Sequence, residues 1–410
     1  MAIREVDHLL IGGGLAAANC ARWLREEGAD GSVMLVGREP DPPYSRPPLS
    51  KDYLRRESSR EDALFRPGDW WEEQSIELLT RTSVMKLDAE ARTVKLSNDE
   101  ELSFGKALMA TGANVRRLRV DGCDLDGIHY LRAFANSDAI HEDAESAERV
   151  VCIGGSYIGT EVAASLTALG RKVSIVMQEE VTLDRFYGRE VGGFFQAALE
   201  EHGVTIHGSD ELERFEGSDG RVGKVVTKAG VEIECDMVVI GAGVMPDVML
   251  ARGAGLELGE AGGVLCSSRL ESSVPGVYAA GDMCEYESVL HGGRPMRIEH
   301  WDVAFNQGKT AALNMLGRDV PHDTVPYFFS DLADWTSMEY VGPGSGDAVI
   351  RGSVDDGEFT AFYVDGEDRV TAALTVGRSD DLEHARRFIA AGSKPGRGAL
   401  ADIGSNLAEL

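Results

Sequence analysis

Two glycine-rich turns in the sequence have the spacing of a phosphate-binding loop. In the first, residues 12–17 read GGGLAA, a match to G-x-G-x-x-A, and they follow the apolar run 6–11. Glycines at such a turn let the backbone approach a pyrophosphate, and the next helix, predicted to reach about Glu27, offers its N-terminal NH groups. Glu39 lies just past the apolar run 33–36, where a carboxylate can accept hydrogen bonds from a ribose diol. Because strand, turn, helix and acid all occur at the right distances, the segment predicts a dinucleotide site.

The same pattern recurs later in the chain. Residues 154–159 read GGSYIG, follow the apolar run 150–153 and precede a predicted helix through about Leu169. The next predicted strand covers residues 172–176. Ser156 takes the place of the middle glycine, and its small side chain still permits close approach of a ligand. The recurrence predicts a second dinucleotide-binding fold.

Charged residues after this second fold bear on which nicotinamide cofactor it binds. Glu179 lies near the strand end, where a carboxylate would bond a bare ribose and repel a 2′-phosphate, so NADH is favoured over NADPH. Glu180 is a near-equivalent acid, and Arg185 leaves NADPH open as an alternative.

Later strand ends indicate how the two folds are connected. Apolar runs end in ATG at residues 110–112, in GAG at 241–243 and in AAGD at 279–282. In the last of these, Asp282 can hold a ribityl hydroxyl. The order predicts an α/β protein with two Rossmann-like domains, in which the first is discontinuous and the second is inserted into it.

Composition narrows the function classes. A chain of 410 residues is long enough for two or three domains. Its six cysteines show no C-x-x-C and no metal-ligand spacing, so no metal is predicted. A formal net charge of −28 argues against nucleic acid and anionic membranes as partners. Without an apolar run near the ~20 residues of a membrane helix, or a signal-peptide start, the sequence predicts a soluble cytoplasmic protein.

These motifs resemble the two-dinucleotide-binding flavoprotein reductases. The chain is most similar to NADH:ferredoxin and rubredoxin reductases, with monodehydroascorbate reductase and apoptosis-inducing factor as relatives. The matching segments are the first glycine turn, residues 43–51 (PYSRPPLSK), 110–112, 154–161, 280–282, 297–301 (RIEHW) and 326–331 (PYFFSD).

The resemblance implies FAD in the first fold and NADH in the second. Carried over position by position, it implies cofactor contacts from Gly12, Gly14, Leu15, Ala16, Arg38, Glu39, Arg46, Lys51, Val84, Ala110, Thr111, Gly112, Arg132, Gly281, Asp282, His300, Trp301, Phe329, Gly155, Ser156, Tyr157, Ile158, Glu161, Glu179, Arg185 and Gly243. The implied domains are an FAD-binding domain (1–113 and 244–322), an NADH-binding domain (114–243), a C-terminal α+β domain (323–391) and a loosely ordered tail (392–410).

The resemblance also implies three catalytic residues. Lys51 and Glu161 match a pair beside the reacting flavin ring, where the lysine would stabilise negative charge; a structural ion pair is the alternative. Trp301 matches an aromatic residue that lines the flavin or lets electrons out, with a core position as the alternative. His300 is expected to act through its backbone or as a helix cap.

Relatives that reduce disulfides or peroxides carry a redox cysteine after the second strand of the FAD fold. Here the chain has no cysteine between Cys20 and Cys123. The predicted reaction is therefore flavin-only: NADH reduces FAD, which passes electrons to a one-electron carrier. The expected carrier is an acidic [2Fe-2S] ferredoxin of an oxygenase system.

Other functions stay open as alternatives: a rubredoxin or monodehydroascorbate reductase, or an NADH-sensing protein like apoptosis-inducing factor. The carrier is expected to dock near Arg294, Arg297 and Trp301. A second arginine cluster lies at residues 116–119. Both a monomer and a homodimer are compatible with the sequence.

Overall fold

The computed structural model describes residues 3–344 and 346–410. Within them the chain forms two compact units, each assembled from three stretches of sequence. The first unit contains the residues up to Ser45, Glu61–Asn114 and Val244–Pro326. The second contains Arg46–Arg60, Val115–Gly243 and Tyr327–Leu410. The chain leaves the first unit after Asn114 and returns at Val244, while Arg46–Arg60 and Tyr327–Leu410 group with the second unit, so the bounds expected for the four domains stay a prediction.

The strands are, in chain order, β1 (Arg4–Ile11), β2 (Val33–Val36), β3 (Ile76–Leu79), β4 (Val84–Asp88), β5 (Thr93–Leu96), β6 (Glu101–Met109), β7 (Ala113–Val115), β8 (Ile128–Tyr130), β9 (Arg149–Ile153), β10 (Lys172–Val176), β11 (Thr205–His207), β12 (Leu212–Ser218), β13 (Arg221–Thr227), β14 (Glu232–Glu234), β15 (Met237–Ile240), β16 (Val244–Pro246), β17 (Val264–Cys266), β18 (Val277–Ala279), β19 (Cys284–Ser288), β20 (Arg294–Met296), β21 (Tyr327–Leu332), β22 (Thr336–Val341), β23 (Asp347–Ser353), β24 (Glu358–Val364) and β25 (Val370–Val376).

The helices are α1 (Leu15–Glu26), α2 (Arg60–Ala63), α3 (Trp70–Glu73), α4 (Phe134–Ser146), α5 (Tyr157–Ala168), α6 (Asp184–Tyr187), α7 (Arg189–Glu201), α8 (Met249–Gly253), α9 (Trp301–Met315), α10 (Asp380–Ala391) and α11 (Arg397–Ala401). Among the helices of the described residues, none is both long and apolar enough to cross a bilayer.

The first unit is built on a sheet of order β3-β2-β1-β6-β5-β4. Strands β3, β2, β1 and β6 run parallel, and β2 is buried along its whole length, as expected for a parallel strand covered on both faces. Along its other edge, β6 pairs with β5 near its start and with β18 at residues 107–109. The strand that precedes Gly281 and Asp282 therefore returns to the carboxyl end of β6.

Helices α1 and α9 of the first unit pack with their backbones in close contact. A Cβ on Gly308 would lie 2.3 Å from the carbonyl oxygen of Ala16, so only glycine allows this approach. The buried Asn19 donates a hydrogen bond of 2.6 Å to the carbonyl oxygen of Phe305. The separation of these helices is therefore set by backbone contact.

The second unit contains three sheets. A parallel sheet has the order β11-β10-β9-β15-β8, and a small antiparallel sheet has the order β12-β13-β14. Val151 and Val238 of the parallel sheet share one buried core with Val225 of the small sheet. The third sheet, β21-β22-β25-β24-β23, is antiparallel.

The end of the chain differs from the loose order predicted for it. The buried Arg351 on β23 donates hydrogen bonds to the carbonyl oxygens of Asp402 and Ser405. Leu400 and Leu407 are buried as well. The Ser, Lys, Pro and Gly content of this segment favours disorder locally, but a distant arginine satisfies its backbone carbonyls.

A buried histidine in the first unit makes stability depend on pH. His322 is 2% exposed and lies 3.2 Å from the Thr310 hydroxyl through Nδ1. Burial lowers the pKa of His322 to about 4, against the smaller opposite effect of Asp323. The ring is therefore neutral in the folded protein at neutral pH.

We predict that acid destabilises the protein through His322. The folded pKa lies below the unfolded value of about 6.5, so protonation favours the unfolded chain. This contribution to the free energy of unfolding is present above about pH 6.5 and is lost as the pH falls towards 4. Urea unfolding of wild type and His322→Asn across this range should show a flatter pH dependence in the variant. Parallel curves would contradict the prediction.

Candidate functional site

Each dinucleotide fold places its first loop glycine against a backbone carbonyl of its own unit. Gly12 has φ 126°, and a Cβ there would lie 2.1 Å from the carbonyl oxygen of Ala110, just after β6. Gly154 has φ 110°, and a Cβ there would lie 2.5 Å from the carbonyl oxygen of Gly241, just after β15. No L-residue side chain fits either position.

The middle residue of each loop caps the following helix. Gly14 and Ser156 are the N-cap residues of α1 and α5, and both have extended backbone, with φ −90° and −92°. No described atom lies within 4 Å of a Cβ built on Gly14, so a small side chain is sterically acceptable at this position. This explains how serine replaces glycine in the second loop. A helix N-terminus of this kind offers NH groups that can bind a pyrophosphate.

Three elements of the first unit meet beside its loop. The Gly281 NH donates a hydrogen bond of 2.8 Å to the side-chain oxygen of the buried Gln307. A Cβ on Gly281 would lie 3.5 Å from the Cβ of Ala16 and 3.7 Å from that of Ala304. The start of α1 (Leu15 and Ala16), the end of β18 and the first turn of α9 therefore converge. These residues fit the FAD site implied by the sequence.

The segment after β6 is tied down by hydrogen bonds. The Thr111 hydroxyl donates to the carbonyl oxygen of Asp247 at 2.6 Å, and the Asp247 NH donates to the carbonyl oxygen of Gly112 at 2.8 Å. The Thr111 NH also points to the sulfur of Met283 at 3.2 Å. Val84, at the start of β4, packs against the main core of this unit.

Glu39 and its neighbour Arg38 face different surroundings. The half-buried Glu39 accepts a hydrogen bond of 2.5 Å from the Tyr44 hydroxyl. The guanidinium of Arg38 lies 3.1 Å from the Asp247 carboxylate and 2.7 Å from the Asn114 side-chain oxygen. A role for Arg38 in cofactor binding stays a prediction.

His300 and Trp301 start α9. His300 is the N-cap through its carbonyl oxygen, which accepts from the Ala304 NH at 3.1 Å. Burial lowers the pKa of His300 to about 4, although the nearby Asp282 opposes the shift. Trp301 is 37% exposed, so it is not a core residue. Its indole NH donates to the Ser45 hydroxyl at 3.0 Å.

In the second unit, Glu161 is the centre of a buried polar cluster. Its Oε1 lies 2.7 Å from Nζ of Lys51, and the two residues are 3% and 8% exposed. Ser50 donates a hydrogen bond of 2.5 Å to Oε2, and Ser330 donates one of 2.6 Å to Oε1. The ammonium of Lys51 also lies 5.7 Å from the centre of the Phe329 ring. The carboxylate is thus stabilised by one charge and two hydroxyls.

The two serines of this cluster were not among the site residues predicted from the sequence. Ser50 precedes Lys51, and Ser330 follows Phe329, so both lie inside motifs already recognised. Serines in such motifs carry no chemical signal until the partner carboxylate is placed between them. Only the long-range packing of α5, β21 and residues 46–60 reveals the arrangement.

The second loop has an aromatic neighbour. The Tyr157 hydroxyl lies 2.7 Å from that of the buried Tyr187, and the Tyr157 ring centre lies 4.4 Å from that of Phe328. A Cβ on Gly155 would contact the sulfur of Met177 at 2.1 Å, while Ile158 is 37% exposed.

Three further residues of the second unit that were predicted to contact a cofactor are Arg46, Arg132 and Gly243. Arg46 donates a hydrogen bond to the carbonyl oxygen of Arg132. Gly243, after β15, has φ 84° and accepts from the Arg116 NH at 2.9 Å. Roles for Arg46, Arg132 and Gly243 in cofactor binding stay predictions.

The acids after β10 differ in their partners. Glu180 forms an ion pair with Arg189. Among the described residues, no cation forms an ion pair with the half-buried Glu179. Arg185 is exposed on the short helix α6. A carboxylate without a protein cation is suited to bond a ribose diol.

Two protein families match the chain. Residues 6–308 match the family described as pyridine nucleotide-disulphide oxidoreductase, and residues 327–410 match one described as reductase C-terminal. The chain belongs to the pyridine nucleotide-disulphide oxidoreductase family. This family and its ferredoxin reductase members use FAD and NAD(P)H.

Relatives of known role are similar over most of the chain. The ferredoxin–NAD(+) reductase component of the anthranilate 1,2-dioxygenase system of Burkholderia cepacia is 34% identical, covering 96% of both chains. Rubredoxin-NAD(+) reductase of Pseudomonas putida is 31% identical over 80% of this chain and 84% of its own. The crystal structure of the covalent putidaredoxin reductase–putidaredoxin complex matches with a TM-score of 0.93 at 30% identity, covering 98% of this chain and 97% of the other.

The cysteines of this family member are poorly suited to disulfide chemistry. All except the half-buried Cys123 are buried. Burial raises the pKa of Cys152 and of Cys235 to about 12 and that of Cys20 further still. Since the thiolate is the reactive form, these thiols are inert near neutral pH.

Arg294 and Arg297, the two arginines predicted to dock a carrier, differ in exposure and in their partners. Arg297 is largely buried and forms an ion pair with Glu299. It also donates to the carbonyl oxygens of Asp282 and Ala261, both at 3.0 Å. These bonds hold Arg297 inside the first unit and leave little of its side chain exposed, so its role in docking a partner stays a prediction. Arg294 is exposed.

We predict that Lys51→Met slows reduction of the bound flavin by NADH at least about tenfold while NADH affinity changes little, because a fixed charge acts on the transition state. Rapid-mixing kinetics separate the rate from the affinity. Lys51→Arg, which retains the charge, should keep more of the rate. Ser330→Ala should have a smaller effect because both charges stay. If Lys51→Met lowered the Tm but left the rate of flavin reduction unchanged, the Lys51–Glu161 ion pair would have a structural role only.

Proposed function

We propose that the chain is an NADH-dependent, FAD-containing reductase of a small acidic one-electron carrier, a [2Fe-2S] ferredoxin of an oxygenase system. Support comes from the Burkholderia cepacia relative, a ferredoxin–NAD(+) reductase component, and from the solved complex of a reductase with putidaredoxin. The Pseudomonas putida relative makes rubredoxin the second candidate carrier. We propose the cytoplasm as the location.

The proposal rests on the buried ion pair of Lys51 and Glu161, whose carboxylate also accepts hydrogen bonds from two serine hydroxyls. Ser50 and Ser330 contact the carboxylate where a disulfide reductase would need a nearby thiol. Among the described residues, no cysteine hydrogen-bonds this cluster. This setting favours electron exit without a dithiol, to a carrier that accepts electrons singly.

The chain's own residues bind, orient and stabilise charge. FAD, when bound, accepts the two electrons of a hydride and releases them one at a time. The N-termini of α1 and α5 supply NH groups for the two pyrophosphates. Glu179 accepts from the adenosine ribose of NADH. Glu161, held by two serine hydroxyls, keeps the Lys51 ammonium in place as a fixed positive charge for the reduced cofactor.

Glu179→Ala should lower the preference for NADH over NADPH by about tenfold, or ~1.4 kcal/mol, because repulsion of the 2′-phosphate is removed. The measurement is kcat/KM for each cofactor with ferricyanide as acceptor. Glu180→Ala is the matched control: it removes a neighbouring carboxylate that Arg189 already neutralises, so its effect should be smaller. A wild type that prefers NADPH would contradict this assignment.

The function itself is tested by oxidising the NADH-reduced protein in a stopped-flow instrument. An acidic [2Fe-2S] ferredoxin should reoxidise it much faster than oxygen does, and iron and zinc analysis of the reductase should find neither in stoichiometric amount. Rapid oxidation by rubredoxin alone would select the second candidate. A long-lived reduced complex that no carrier oxidises would overturn the proposal and favour an NADH sensor.

A further inference from the structure

Helices α1 and α9 of the first unit carry three aromatic rings and two cations that contact one another in a row. Trp301 stacks on Phe305 with ring centres 5.4 Å apart and planes 7° apart. The Arg22 guanidinium lies 5.5 Å from the Phe305 ring centre and 5.4 Å from that of Trp23. The Lys309 ammonium lies 4.2 Å from the Trp23 ring centre. We call these five residues the aromatic–cationic ridge.

The two cations of the ridge differ in their acidic partners, in a chain that has 69 acidic and 41 basic residues. Among the described residues, no carboxylate forms an ion pair with Lys309. Arg22, whose side chain is 18% exposed, forms an ion pair of 3.5 Å with Glu26, whose side chain is half exposed. Asp302 is the nearby acid on α9, and its carboxylate accepts from Asn306 at 2.9 Å. Among the described residues, Lys309 is therefore the cation of the ridge that has no acidic partner.

The rings hold these cations in place before any partner arrives. A lysine or arginine over an aromatic face is attracted by the ring quadrupole. Because the side chain is already ordered, less conformational entropy is lost when a partner carboxylate binds it. Aromatic and arginine side chains are also enriched at protein interfaces.

The ridge begins at the cofactor end of α9. Trp301 directly follows His300, which lies beside Asp282, and the first turn of the same helix contacts Gly281 through Ala304. These are the residues assigned to FAD in the first unit. A carrier bound on the ridge would therefore sit next to the helix end that the cofactor contacts.

We propose that the aromatic–cationic ridge is the docking surface for an acidic one-electron carrier protein. The proposal rests on the proposed function, and it replaces Arg297 as the cationic part of the carrier interface. Carrier carboxylates pair with Lys309, while Trp301 and Phe305 supply apolar contact. Contacts of this kind act within a Debye length of about 8 Å at physiological salt, so distant surface acids oppose them only weakly.

The test is NADH-dependent reduction of a purified acidic [2Fe-2S] ferredoxin by Lys309→Glu. Reversing one interfacial charge should raise the KM for ferredoxin about tenfold at low salt, and Lys309→Gln about threefold. Turnover rates are normalised to the ferricyanide rate of the same preparation, which corrects for loss of folded holoprotein, whereas KM does not depend on the amount of active enzyme. Raising the salt concentration should weaken wild-type coupling more than that of Lys309→Glu.

Lys86→Glu is the matched control, since Lys86 is an exposed lysine of the same unit outside the ridge, and its KM should equal that of wild type. Arg294→Glu tests the earlier docking site. If Lys309→Glu behaves like Lys86→Glu, the ridge is not the docking surface; a large effect of Arg294→Glu alone overturns the proposal in favour of that site. A wild type that reduces ferricyanide but no ferredoxin would instead refute the proposed function.

Discussion

The buried carboxylate of Glu161 connects stretches of chain that are far apart in sequence. Its hydrogen bonds and ion pair reach residues 50 and 51 on one side and residue 330 on the other. Removing one partner from such a buried charge typically costs several kcal/mol because the charge is left incompletely compensated. The second unit can bury this carboxylate only when all three stretches are in place. One ionised group therefore couples the assembly of this unit to the geometry of the residues proposed to act on the cofactor.

The loops of the two dinucleotide folds could be predicted from sequence because their signals are local. A left-handed glycine, a helix N-cap and a strand end all lie within a few residues of each other, and Gly12 and Gly154 meet the same backbone constraint. The fold class followed from this repetition and is confirmed by the family match and the solved structures.

Features that depend on distant partners were not predictable in the same way. Arg297 looked like a surface cation because its carbonyl partners at Asp282 and Ala261 are not visible in the local pattern. The order of the C-terminal tail depends on Arg351, some fifty residues earlier. The aromatic–cationic ridge requires two helices, α1 and α9, which are far apart in sequence but packed together in the first unit. In each case the deciding neighbour is supplied by tertiary packing.

The contact between Gly308 and Ala16 gives the ridge a property that its side chains could not provide. Because backbone packs against backbone there, the distance between α1 and α9 is limited by van der Waals contact of main-chain atoms and depends little on side-chain rotamers. Arg22 and Trp23 on one helix thus keep a constant spacing from Phe305 and Lys309 on the other. Side chains on the outer face could be exchanged to suit a different carrier while this spacing stays the same. Gly308 keeps the two helices at one separation, so the residues that contact a redox partner could change without altering the helices that form the cofactor site.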